Sequence, residues 1–194
     1  NVHVEQGRAK LLVSLDQLRA DLPNCDTITL VTSWFADDLR CGVSQVRPGV
    51  ERAVKETAPI SWRAGGVSRA EAHVVSEFEG APAFGGTPSD RSIVQAITEL
   101  KARGYKVRLY PFVLMDIPPG NAKADPYGAS EQAAYPWRGR ITVHPAAGMF
   151  SSPDKTAAAS GQIAAFFGTA APMHFSAGSE GPTYAGPAEW SYRR

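Results

Sequence analysis

The chain has 194 residues, 43% of them hydrophobic and 20% charged, and its twenty Lys+Arg against nineteen Asp+Glu leave a formal charge of +1. That apolar content can bury a core, which excludes a disordered chain, and a near-neutral balance without a long basic run argues against direct nucleic-acid recognition. No apolar stretch reaches membrane-spanning length, and no signal-peptide pattern is present.

In chain order, Arg8–Leu22 places Leu11, Leu15, Leu18 and Leu22 on one stripe, which predicts an amphipathic helix stopped by Pro23-Asn24. Thr27–Phe35 is β-branched and aromatic and predicts a strand feeding the acidic corner Asp37-Asp38. From Arg40 to Gly66 the chain reads as irregular, with room for a strand at Ile60–Arg63. Ser68-Arg69-Ala70-Glu71 fits a capping box and predicts a helix carrying Val74, Val75 and Phe78. The alternation of His73, Val75 and Glu77 leaves a strand as the other reading.

The next stretch is the clearest α/β unit. After Gly85-Gly86-Thr87-Pro88, Ser89 or Asp90 can cap a helix over Ser92–Arg103, with Ile93, Ile97 and Leu100 on one face and Gly104 as the stop. Val107–Met115 is almost wholly apolar, as expected of a strand covered on both faces, and Asp116 closes it. A long loop rich in Pro, Gly and Asn follows at Ile117–Pro136, a length that is usually functional or mobile. Ser152-Pro153-Asp154 opens a helix running through Ile163, Phe166 and Phe167 to Gly168, and Thr169–Pro187 reads as loop.

The candidate chemistry is sparse. Asp37, Asp38 and Asp116 each follow a strand and would share one rim if those strands are parallel. Glycosidic hydrolysis needs two carboxylates about 5–5.5 Å apart for retention or about 6.5–9.5 Å for inversion, a distance that sequence does not supply. The same groups can instead cap turns and hold loop amides. Trp34, Tyr127 and Trp137, in or beside the loops, offer flat faces for sugar rings, with Phe35, Tyr135 and Trp190 nearby; such residues also anchor loops. His73, His144 and His174 lack spaced partners, and Cys25 and Cys41 form neither CxxC nor a disulfide framework, so no metal site is indicated. Arg40 and Arg138 could meet anions or make structural hydrogen bonds. Gly85-Gly86-Thr87 lacks the further glycines and lysine of a phosphate loop, and no cofactor is implied.

Four motifs in order carry a resemblance. Thr32–Gly42 (TSWFADDLRCG), Gly85–Asp90 (GGTPSD), Tyr110–Asn121 (YPFVLMDIPPGN) and Tyr135–Arg140 (YPWRGR) resemble the TIM-barrel-like domain of gene transfer agent and phage tail-tip proteins, a domain similar to glycoside hydrolases. The resemblance spans essentially the whole chain. It implies an α/β fold, the N-terminal and incomplete part of a (β/α)8 barrel, forming a single segment over residues 1–194 of a larger tail protein. It also implies other tail and baseplate proteins as partners, bacterial surface polysaccharide as a ligand, a homotrimer in the particle, and synthesis in the bacterial cytoplasm. The expected role is structural and host-interacting, with the barrel as scaffold or glycan-binding module; a glycoside hydrolase acting on capsule or wall polysaccharide is the alternative. By the same resemblance the catalytic carboxylates of such hydrolases fall beyond Arg194. The absence of an initial Met and the stop soon after a Gly-Pro turn fit a piece of a longer polypeptide, expected to be poorly soluble alone.

Overall fold

The computed structural model describes residues 7–136, 140–178 and 181–194. The chain divides into two units, the first built from residues up to Leu30 together with Gln95–Tyr110, the second from Val31–Val94 and Pro111–Arg194.

The first unit holds helix α1 (Lys10–Asp21), the start of strand β1 (Thr27–Ala36), most of helix α2 (Asp90–Ala102) and the start of strand β9 (Lys106–Met115). Leu15 of α1 and Leu100 of α2 are buried with Tyr105, and Leu18, Cys25, Ile28, Leu30 and Val107 pack around them. The predicted stripe is therefore only half used, since Leu11 and Leu22 are 44% and 57% exposed. Gly104, at φ +87°, makes the left-handed stop after α2, a conformation costly for residues with a Cβ. Arg103 ties the two helices, reaching Asp16 and Glu99 at 2.6 Å each. The Lys106 N–H donates to the Asp26 carbonyl at 2.8 Å and aligns the starts of β9 and β1.

The second unit contains the strand ends and seven strands of two residues each between them: β2 (Val46–Arg47), β3 (Gly49–Val50), β4 (Arg63–Ala64), β5 (Val67–Ser68), β6 (His73–Val74), β7 (Glu77–Phe78) and β8 (Ala81–Pro82). Helix α3 (Ala157–Phe167) and the hairpin β10 (Phe175–Ser176) and β11 (Thr183–Tyr184) follow, joined by a 3-10 turn at Pro172–His174. One cluster buries Ala36, Leu39, Val46, Met115 and Ile117, with Trp34, Val113, Ile141 and Phe166 against it. A second buries Val50, Trp62, Ala64 and Ala72, and a third Cys41, Val143 and Ala159. Phe35 is 1% exposed, and its ring lies where any side chain on Gly49 would have to go, so only glycine fits there.

These elements correct the expected (β/α)8 segment. Among the described residues there are three α-helices and one three-stranded sheet, ordered β2-β1-β9, while every other sheet is a single pair of two-residue strands. A barrel requires strand and helix to alternate with all strands parallel, but β2 runs antiparallel to β1 and β3–β8 intervene before α2. Pro48, Pro59, Pro82 and the Gly65-Gly66 pair interrupt the segment too often for longer ladders. β9 also differs from the doubly covered strand expected, since Arg108–Pro111 are exposed. Because the Asp116 N–H faces the Ala36 carbonyl, alternation turns position 111 to the opposite edge, where a proline forfeits no bond to β1.

The helix expected after Ser68 is likewise replaced. Ser68 and Glu71 do bond, through N–H and Oγ to Oε2 at 2.8 and 2.6 Å, but the chain makes one turn and leaves. The His73 N–H then donates to the Pro48 carbonyl and the Val75 N–H to the Val50 carbonyl, placing β6 parallel to β3. Pairing with a neighbour thus outweighs the local start signal, in keeping with the β-branched Val74 and Val75. α3 begins at Ala157, later than predicted, because Ser152–Thr156 form their own turns.

Candidate functional site

Within the second unit the ends of β1 and β9 meet, fixed by the 2.8 Å bond from the Asp116 N–H to the Ala36 carbonyl. Asp37 and Asp38 therefore leave the sheet at the same end as Asp116, yet each carboxylate has its own partners.

Asp37 accepts from the Gln45 N–H at 3.0 Å and from Arg47 at 3.4 Å, and its carbonyl takes the Lys123 ammonium. Asp38 is buried and is gripped by the Arg40 guanidinium at two points, 2.9 and 2.7 Å, with the Arg40 N–H at 2.8 Å. Gln132, 1% exposed, completes the set by donating to Asp38 at 2.8 Å and to the Ala124 carbonyl at 3.0 Å, while its Oε1 accepts the Leu39 N–H at 2.9 Å. Burial pushes the Asp38 carboxyl up, but the bonds from Arg40 and Gln132 outweigh it and hold the group below its ordinary value.

Asp116 is buried at the mouth of a polar and aromatic nest. Its Oδ2 meets His73 Nε2 at 2.5 Å and the Ser76 N–H at 3.0 Å, and its Oδ1 accepts the Ser76 hydroxyl at 2.5 Å. The Tyr135 hydroxyl lies 2.9 Å from Ser76 Oγ, and the Tyr135 ring stands edge-on to Phe78 and Phe84. Burial raises the Asp116 carboxyl, and the bonds from His73 and Ser76 overcome that, leaving it below the ordinary aspartate value. The serine bonds to the aspartate and not to the histidine, so the trio is not ordered as a nucleophile, base and orienting acid. Tyr135 sits at φ +44°, a strained backbone for a residue with a side chain.

The loop after β9 is closed by its own side chains. The Tyr135 N–H reaches the Ile117 carbonyl at 2.8 Å, Glu131 accepts the Gly120 and Ala122 N–H groups at 3.1 and 3.0 Å, and Asp125 accepts those of Tyr127 and Ala129, both at 3.1 Å. Beside it lies a cavity of about 410 Å³ lined by Leu39, Asp125, Tyr127, Glu131, Pro136 and Arg140. Tyr127 is 42% exposed there, with its hydroxyl donating to the Arg140 carbonyl at 3.1 Å.

Of the other predicted residues, Trp34 packs on the main cluster and lies 6.5 Å from the Trp190 ring. Trp137 and Arg138 lie outside the described residues. Arg40 serves Asp38. Thr87 of the Gly-Gly-Thr run is buried and exchanges bonds with Gly49 at 2.9 and 2.7 Å, which makes that run a clasp on β3. Ser76 and Gln132 were missed by sequence reasoning, because a lone Ser or Gln has no spacing signature. Among the described residues no group of three His, Cys, Asp or Glu could hold a metal, and no helix is long and apolar enough to cross a membrane. No family model matches the chain, and no curated protein is found similar to it.

Proposed function

We propose that the chain is a structural and host-interaction component of a phage-like tail tip, and that its second unit binds bacterial surface polysaccharide beside Tyr127. The four ordered motifs support the tail assignment. The observation that carries the binding reading is Tyr127 itself, an aromatic ring kept half in water at a cavity whose loop is tied down by Glu131, Asp125 and Gln132. A rigid, open aromatic face suits the apolar face of a sugar ring, because little conformational freedom has to be given up on binding. Neither Asp38 nor Asp116 is suited to act as a general acid, because each is held below the ordinary range by its own hydrogen-bond partners.

The tail assignment is tested by purifying phage-like particles from the producing bacterium and locating the protein with a labelled antibody. Label at the tail tip is expected, and particles consistently free of the protein would overturn the assignment.

A further inference from the structure

The turn that carries Tyr127 is joined to a second turn within the second unit. The Ala146 N–H donates to the Pro126 carbonyl at 2.8 Å, which sets the segment 146–151 against the Tyr127 turn. A side chain closes the junction, because the Met149 methyl lies where a Cβ on Gly128 would stand. Tyr127 precedes that glycine and Phe150 follows that methionine, so two aromatic residues flank one contact.

Phe150 packs on almost nothing. It is 94% exposed, more than any other large apolar side chain among the described residues. Its backbone, by contrast, is fixed. The Met149 N–H donates to the Ala146 carbonyl at 3.0 Å, the Ser152 N–H to the Met149 carbonyl at 3.1 Å, and the Ser152 hydroxyl to the Pro145 carbonyl at 3.0 Å. Ser151 sits at φ +56°, a left-handed backbone that is costly for a residue with a side chain. A polar residue at the tip would serve such a turn equally well, whereas a bare phenyl ring lowers solubility. Folding therefore gives no reason for a phenylalanine at 150, and a ligand with apolar faces does.

We propose that Phe150 is a second stacking platform for the polysaccharide, with Met149, itself 38% exposed, as the apolar bridge to Tyr127. This inference rests on the polysaccharide reading and extends it from one ring to two. Sugar units present apolar faces and hydroxyl edges, so units of one chain can stack on separate rings while their hydroxyls stay in water. Once one unit is held, the other ring meets its own unit at a high effective concentration, and two weak contacts act together. A protein surface fits less well, because the Tyr127 side of the junction is a cavity lined by Asp125, Glu131 and Arg140, and charged residues are depleted from the centres of protein interfaces.

The test is isothermal titration of the full-length protein with surface polysaccharide purified from the host bacterium, comparing Phe150→Ala and Phe150→Trp with Tyr127→Ala. Phe150→Ala should weaken binding at least about fivefold, and Phe150→Trp should keep it within about twofold, since an indole restores the flat face. Both variants should keep the melting temperature, because the side chain is in water. Binding weakened by Tyr127→Ala but unchanged by Phe150→Ala, or weakened equally by Phe150→Trp and Phe150→Ala, would overturn this inference and leave the polysaccharide reading standing. Absence of binding by the unaltered protein would overturn both. Self-association that disappears in Phe150→Ala during sedimentation, with polysaccharide binding retained, would assign the ring to a protein contact and likewise overturn the proposal.

Discussion

Gln132 donates a 2.8 Å hydrogen bond to Asp38 across 94 residues of chain. That bond, with the Leu39 N–H on the other side of the amide, fastens the loop after β9 to the end of β1. Truncation by Gln132→Ala strands a buried N–H and removes a donor from a buried carboxylate, so a loss of about 2–4 kcal/mol is expected. Urea unfolding measures it, and limited proteolysis should show new cuts within residues 118–131. Gln132→Glu sets a second carboxylate against Asp38; its deficit should be largest at neutral pH and shrink as acid protonates the pair.

Asp116 contributes to the acid limb of stability. Its carboxyl is held below the ordinary value of 3.8, so the stabilisation is present above that value and is lost as pH falls through the lower, folded-state value. Asp116→Asn removes the charge that His73 and Ser76 address and should cost about 3 kcal/mol near neutrality. Its stability should also depend less on pH below about 4 than that of the unaltered protein, as followed by denaturant midpoints across an acid series.

The Arg40 fork on Asp38 is a two-point contact that lysine does not reproduce. Arg40→Lys should lower stability by about 1 kcal/mol, and Arg40→Ala by more, since it leaves a buried carboxylate without its cation. Thermal melts of the two variants at one pH give the order.

Asp90 has the opposite sign. A carboxyl raised by burial opposes folding once it is ionised, so Asp90→Asn should stabilise slightly, by under about 1 kcal/mol at neutral pH, and the gain should vanish as pH falls below the aspartate range. Paired denaturant curves at the two pH values decide it; a neutral-pH loss would contradict the burial reading.

The helices and the two ten-residue strands were legible because their signals are local. α2 has its Ser89 cap, at 3.2 Å from the Ser92 N–H, and its Gly104 stop; β1 and β9 are long β-branched or apolar runs. What sequence could not show was pairing. β6 forms because Pro48 and Val50 offer carbonyls, information that lies 25 residues earlier, and it defeats a capping box that reads correctly as far as Glu71. The barrel expectation failed for the same reason, since strand ends that carry carboxylates say nothing about what lies between the strands. At the site, Asp38 and Asp116 were visible as acids after strands, whereas their partners His73, Ser76 and Gln132 are isolated in sequence and meet only through β6 and the closed loop.

The most direct test of the proposed function is isothermal titration of the full-length protein with surface polysaccharide purified from the host bacterium, alongside Tyr127→Ala. Tyr127 is half exposed and its hydroxyl meets only a carbonyl, so the variant should keep its melting temperature to within a few degrees. Saturable binding weakened at least about fivefold in Tyr127→Ala is the predicted result; about 1–3 kcal/mol for one stacked ring is the basis for that figure. Absence of binding by the unaltered protein, or identical binding by the variant, would contradict the account.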